Sequence, residues 1–265
     1  MENKDNHYII DFYNHYNEDS RLASQHGSVE FLTAMHYIEK YLTPESRILE
    51  IGAGTGRYSH ALARQGYAVD AVELVEHNIQ IFRQNTLPEE PVTITQGTAL
   101  DLSAFPDSQY DLTLLFGPLY HLYTVKDKQK AIEEAIRVTK KGGIIFAAYV
   151  ISDGCLIDEG FNRGNVNVAD YIQNGLLDPE TFAATSAPKD LFELVRKEDI
   201  DQLMAPFPVT RLHYVAADGC SLLMREAIDR MEPDAFQLYV KYHLTVCERP
   251  DLAGITSHAI DIFKK

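Results

Sequence analysis

Between residues 46 and 150 the chain alternates short apolar β-type runs with helical stretches, and this alternation limits the fold more than any other feature. The runs RILEI at 47–51, AVDAVEL at 68–74, VTITQG at 92–97, YDLTLLF at 110–116 and GIIFAAYV at 143–150 are mostly apolar throughout. Strands of that kind are covered on both faces, and a repeated β-then-α order supplies the cover on both sides of a parallel sheet. The last helical segment, VKDKQKAIEEAIRVTKKGG, has apolar Ala131, Ile132, Ala135, Ile136 and Val138. A basic turn followed by glycine favours a helix ending, so this helix is predicted to stop at Gly142–Gly143. The expected fold class is α/β, a Rossmann-like, mostly parallel seven-stranded sheet with helices on both faces.

Four stretches follow from this pattern. Residues 1–45 form an N-terminal helical cap, rich in rings (Tyr8, Phe12, Tyr13, Tyr16), in which DFYNHYNEDSRL suits a flap over a pocket. Residues 46–150 are the Rossmann-like core. Residues 151–208 form a covering insertion, with a weak helix signal at 168–174 and a helix expected over 188–207. Residues 209–265 give a closing strand pair, 209–217 and 258–265, with inserted helices broken at Pro233. About 40 residues between two strands is too long for a bare loop in a compact domain.

The formal net charge of −15 and the scatter of the 24 basic residues disfavour nucleic acid as a partner. Cys155, Cys220 and Cys247 are few and far apart, which fits a reducing, cytoplasmic location. No leader, no membrane-spanning run and no metal-ligand spacing are read from the chain.

The core's first strand runs into Gly52-Ala53-Gly54-Thr55-Gly56 and then a helix, the general way to bring backbone close to a nucleotide. A dinucleotide fingerprint would need glycine at 57, where Arg57 stands. Glu50, two residues before the first glycine, opposes a pyrophosphate and favours a cationic ligand end. Glu73, 21 residues beyond Gly52, is placed to accept both ribose hydroxyls. Two carboxylates and a glycine turn without a phosphate cradle describe a nucleoside carrying a positive centre.

The stretch EIGAGTGRYSHALARQGYAVDAVELVEHNI resembles the cofactor motif of class I S-adenosylmethionine-dependent methyltransferases, over roughly residues 46–150. The resemblance implies S-adenosylmethionine as cofactor and S-adenosylhomocysteine as product. It places Glu50, Gly52, Ala53, Gly54 and Gly56 at the methionine end, Glu73 at the ribose and Leu74 beside the adenine. Where the family commonly has G-D-A or G-N-A after its third strand, this chain has Gly97-Thr98-Ala99, leaving Thr98, the Ala99 amide or Asp101 as adenine contacts. Asp101 is equally readable as a cap. Tyr58 is expected to pack under the turn, with a hydroxyl contact to the cofactor.

The fourth strand delivers Phe116-Gly117-Pro118-Leu119-Tyr120-His121 to the reacting methyl. This is not the Asn/Asp-Pro-Pro-Tyr/Phe of adenine and glutamine methyltransferases. It resembles a bacterial-type group most often assigned to small molecules, so the implied partner is a small-molecule substrate, with no membrane and no stated oligomeric state. Phe116 and Gly117 flank the cofactor, Tyr120 and His121 are the catalytic candidates, and an imidazole there serves as a base or simply orients the next helix. Tyr13, Tyr16, Arg21 and Tyr149 are the expected substrate walls. Protein or RNA methylation, or cofactor binding without turnover, are the rival readings.

Overall fold

A computed structural model describes residues 6–16 and 24–265. The N-terminal part gives helices α1 (Asn6–His15) and α2 (Gln25–Tyr41). Then come β1 (Arg47–Ile51), α3 (Arg57–Arg64), β2 (Ala68–Glu73), α4 (Glu76–Asn85), β3 (Val92–Gln96), β4 (Tyr110–Leu115), α5 (Val125–Val138) and β5 (Thr139–Ile151). After β5 follow α6 (Val168–Gln173), β6 (Leu194–Val195), α7 (Lys197–Met204), β7 (Thr210–Ala216), α8 (Pro233–Val246) and β8 (His258–Lys264).

The sheet order is β3-β2-β1-β4-β5-β8-β7, parallel from β3 to β5, with β8 antiparallel to both its neighbours. This is the expected Rossmann-like sheet with one addition. An eighth strand, β6, pairs Leu194 and Val195 with Val150 and Ile151 at the end of β5.

Strand parity sorts the core into two layers. Leu49, Ile51, Leu115, Ile145 and Ala147 pack with Ala131, Ile132 and Ala135 of α5 and Ile200 of α7. Ile48, Leu112, Leu114 and Phe146 pack on the other face with Ile38 of α2 and Leu62 of α3. The order reverses between β1 and β4, whose chains leave the sheet in opposite directions and open a crevice at the carboxyl ends of the strands.

Two helix expectations need correcting. Helix α5 stops at Val138, and Thr139–Gly142 begin β5 instead of ending the helix. The Thr139 hydroxyl bonds back to the Ala135 carbonyl at 2.6 Å and meets Thr113 at 2.7 Å, which turns the chain into the sheet before the glycines. Of 188–207, only α7 is α-helical: Pro188–Asp190 is a single 3-10 turn, Leu191 has φ +67°, and β6 intervenes. Asp199 accepts from the Arg196 amide at 2.8 Å and so starts the helix late.

Candidate functional site

The glycine turn after β1 and the loop after β4 are pressed together at the crevice. Gly52 has φ +82°, and a Cβ there would stand 2.5 Å from the Phe116 carbonyl oxygen and 2.6 Å from Pro118 Cδ. Only glycine permits both the angle and the approach. Gly56 serves packing instead: it does not line the cavity, and a Cβ on it would stand 2.5 Å from Phe82 of α4.

The cavity above this turn is lined by Glu50, Gly52, Ala53, Gly54, Tyr58, Glu73, Leu74, Thr98, Ala99, Phe116 and Gly117, so eleven of the twelve expected cofactor residues meet there. Glu50 is fully buried and accepts from the Ser59 hydroxyl. Burial pushes its carboxyl up to about 8, against the pull of Ser59 and with some help from the charge of Glu73. Glu73 accepts from the amides of Gly54 and Val75, each at 2.9 Å, and from Asn78 Nδ2 at 3.3 Å. Those donors fix its rotamer before any ligand arrives.

On the β3 side, Thr98 faces the cavity, while its hydroxyl oxygen accepts from the Leu100 amide at 3.3 Å. Asp101 is exposed, outside the cavity, and caps its own turn through the Ser103 amide at 3.0 Å. Tyr58 packs between Phe31, tilted against it, and Phe116, edge-on, with centroids 5.1 and 4.9 Å away.

Tyr120 and His121 lie on one 3-10 turn, Pro118–His121, at the mouth. The His121 Nδ1 is 2.8 Å from the Leu191 carbonyl, which can only accept, so Nδ1 carries the hydrogen and Nε2 accepts from the Tyr13 hydroxyl at 3.1 Å. Burial pushes this imidazole down to about 4, so it is neutral at pH 7. Both ring nitrogens are thereby tied to the protein, one to α1 and one to the insertion. This geometry makes His121 a fastener of the cover.

A second cavity of about 490 Å³ opens beyond the mouth. Phe12, Tyr16, Tyr171 and Phe192 give it aromatic walls, and Tyr13, Tyr120 and His258 line both cavities. Tyr13 and Tyr16 thus stand where a substrate wall was expected, and Arg21 lies outside the described residues. Tyr149 does not join them. On β5, Ala148 and Val150 face the two cavities, whereas Tyr149 shares the opposite parity with Ala147 and is buried in the other core layer.

Sequence reasoning missed Arg57, Asn78 and His258. Arg57 supplies the one Lys or Arg among the described residues lining the first cavity. Its guanidinium lies 4.6 Å from the Phe31 ring centroid, and its buried Nε has no hydrogen-bond partner. The buried Asn78 Oδ1, beside Glu73, also lacks one. Asn78 was detectable as a polar residue on the first turn of a helix that follows Glu73. His258, 185 residues after Glu73, carried no local signal.

Residues 49–147 match the family model described as a methyltransferase domain. This segment, the Rossmann-like core of the chain, is similar to a methyltransferase domain. Over 100 residues the chain is 36% identical to the demethylmenaquinone methyltransferase of Clavibacter sepedonicus, covering 37% of this chain and 39% of that one. Over 102 residues it is 30% identical to the S-adenosyl-L-methionine-dependent Diels-Alderase iccD of Talaromyces variabilis, covering 37% and 34%. The chain therefore spans about two-fifths or less of the length of these relatives. The solved CcbJ methyltransferase of Streptomyces caelestis superposes with a TM-score of 0.60 over 98% of each chain; at 14% identity this likeness is one of fold.

The cofactor of the methyltransferase domain is S-adenosylmethionine, and the residues present fit it. The glycine turn at Gly52 lets the Phe116–Pro118 loop close against it, so both line the same cavity. Asn78 Oδ1 is an orphaned acceptor that a ribose hydroxyl would satisfy, and Arg57 Nε is an orphaned donor suited to a carboxylate. Glu30 and Glu73 in the same walls oppose a pyrophosphate, and Glu50 does so once ionised.

Proposed function

We propose that this protein transfers a methyl group from S-adenosylmethionine to a small-molecule acceptor seated in the second cavity. When bound, the cofactor supplies an electrophilic methyl carbon, and the carbon–sulfur electron pair stays with sulfur on displacement. Glu73 and Asn78 take the ribose, Leu74 and the 97–99 backbone flank the adenine, and Glu50 with the glycine turn and Arg57 takes the amino-acid end. Residues 46–150 are the cofactor-binding core, 1–45 and 151–208 the cover, and 209–265 the closing strands with their helices.

The observation that carries this reading is the continuity of the two cavities at Tyr13, Tyr120 and His258. An acceptor behind aromatic walls meets the cofactor there, with Tyr120 holding its reacting end. Positioning of this sort makes a bimolecular displacement effectively unimolecular.

The test uses methyl-labelled cofactor and a panel of small aromatic acceptors, with and without Glu73→Ala. Label transfer and S-adenosylhomocysteine release, both lost in the variant, are expected. The 30% identity to a Diels-Alderase favours a second reading, cofactor-assisted chemistry in which the methyl stays put. An acceptor converted while all label remains on the cofactor would establish that alternative.

A further inference from the structure

His258 opens β8 and belongs to both cavity walls. Because β8 runs antiparallel to β5 and β7, its first residue falls at the sheet edge where β1, β4 and β5 end. Asp218, two residues beyond β7, reaches the same edge. The sheet topology thus brings together two residues 40 positions apart.

Asp218 is 2% exposed, and its Oδ2 lies 2.7 Å from His258 Nδ1. Its other oxygen accepts from the Ser257 amide at 3.0 Å, the His258 amide at 3.2 Å and the Thr256 hydroxyl at 2.5 Å. With every donor directed at Asp218, Nδ1 carries the hydrogen and the lone pair of the neutral ring resides on Nε2. Glu30 of α2 adds a second carboxylate 3.7 Å from Nδ1. The other titratable groups at this junction are Tyr13 of α1 and Tyr120 and His121 after β4. Of the acids in the second cavity, Asp158 is paired with Arg225 and Glu159 with Arg163, while Asp190 accepts from the Ala187 amide.

We propose that Asp218 and His258 form the general base of this site and that the acceptor is a phenol, its ring between the aromatic walls and its hydroxyl at His258. This rests on the methyl-transfer reading. A neutral amine attacks without prior loss of a proton, whereas a hydroxyl at neutral pH needs a base in the transition state. In the step, the phenol O–H bond breaks and its proton goes to Nε2. An oxygen lone pair becomes the new bond to the methyl carbon, and the imidazolium, held by Asp218 and Glu30, returns its proton to water after product release. His258 is the catalytic residue and Asp218 a positioning residue.

The test uses 4-nitrophenol as probe and the protein loaded with S-adenosylhomocysteine. The bound probe should show phenolate absorbance at a pH where the free probe is protonated, and nitrogen NMR should find His258 protonated on Nδ1. His258→Gln should abolish the phenolate signal with unchanged S-adenosylhomocysteine affinity, and lower methylation of the probe by about 10²–10⁴-fold. Asp218→Asn should move the His258 tautomer signal and reduce the phenolate fraction. Before the probe is added, a neutral His258 carrying its hydrogen on Nε2 in the unmutated protein would overturn the proposal, as would an unbound probe or equal spectra with and without the imidazole. Failure of the unmutated protein to bind S-adenosylhomocysteine would overturn the methyl-transfer reading beneath it.

Discussion

Glu50 concentrates the electrostatics of the cofactor cavity in one side chain. Its folded value of about 8 lies above the ordinary 4.5, so the folded protein binds more protons at this carboxyl than the unfolded chain between those limits. Stability of the ligand-free protein therefore falls as pH rises through that window. A ligand with a positive centre favours the ionised form, so binding should release a proton below about pH 8 and tighten as pH rises towards it. Calorimetry in buffers of different ionisation enthalpy measures that release; Glu50→Gln should abolish it and weaken S-adenosylmethionine binding by about tenfold or more, the worth of a charge-assisted contact of roughly 1.5–3 kcal/mol. Gly52→Ala forces a side chain against the Phe116 carbonyl at φ +82° and should cost at least about 1–3 kcal/mol in urea unfolding, with cofactor binding lost. Gly52, Glu50 and Glu73 were legible in the sequence because strand-to-helix chemistry is local. His258 and Arg57 were not, since their meaning depends on which distant elements face them.

Elements of the core followed from apolar runs and turn signals: all five core strands formed within a few residues of their predicted limits. The failures came where tertiary partners outvoted local rules, as at Thr139, where sheet pairing overrides a basic-glycine helix ending, and at β6, a two-residue strand defined by pairing alone. Two attachments between elements are testable. Tyr13 bonds α1 to His121, and Tyr13→Phe removes about 1 kcal/mol of closure, so S-adenosylhomocysteine should dissociate roughly fivefold faster in stopped flow. Arg211 bonds the fully buried Asp261 twice, at 2.7 and 2.6 Å, and reaches Asp201 of α7 at 2.6 Å. Arg211→Ala leaves a buried carboxylate unpaired and should cost about 3–5 kcal/mol of unfolding free energy in urea.

For the whole molecule, the sheet brings the glycine turn, the carboxylates and the start of β8 to one edge, while α1 and the 151–195 segment cover the space beyond. Among the described residues no helix is long and apolar enough to cross a membrane. The cover was legible as an aromatic, loop-rich composition, but its cavity was not, because which rings converge depends on how the insertion folds back through β6. The central claim is that the first cavity receives a sulfonium nucleoside and rejects a diphosphate-linked one. Titration calorimetry of the intact protein with S-adenosylhomocysteine and with NAD, repeated on Glu73→Ala, decides it most directly. One saturable site for S-adenosylhomocysteine, weakened at least about tenfold by the substitution and undisturbed by NAD, is the predicted result; saturable binding of NAD with none of S-adenosylhomocysteine would contradict it.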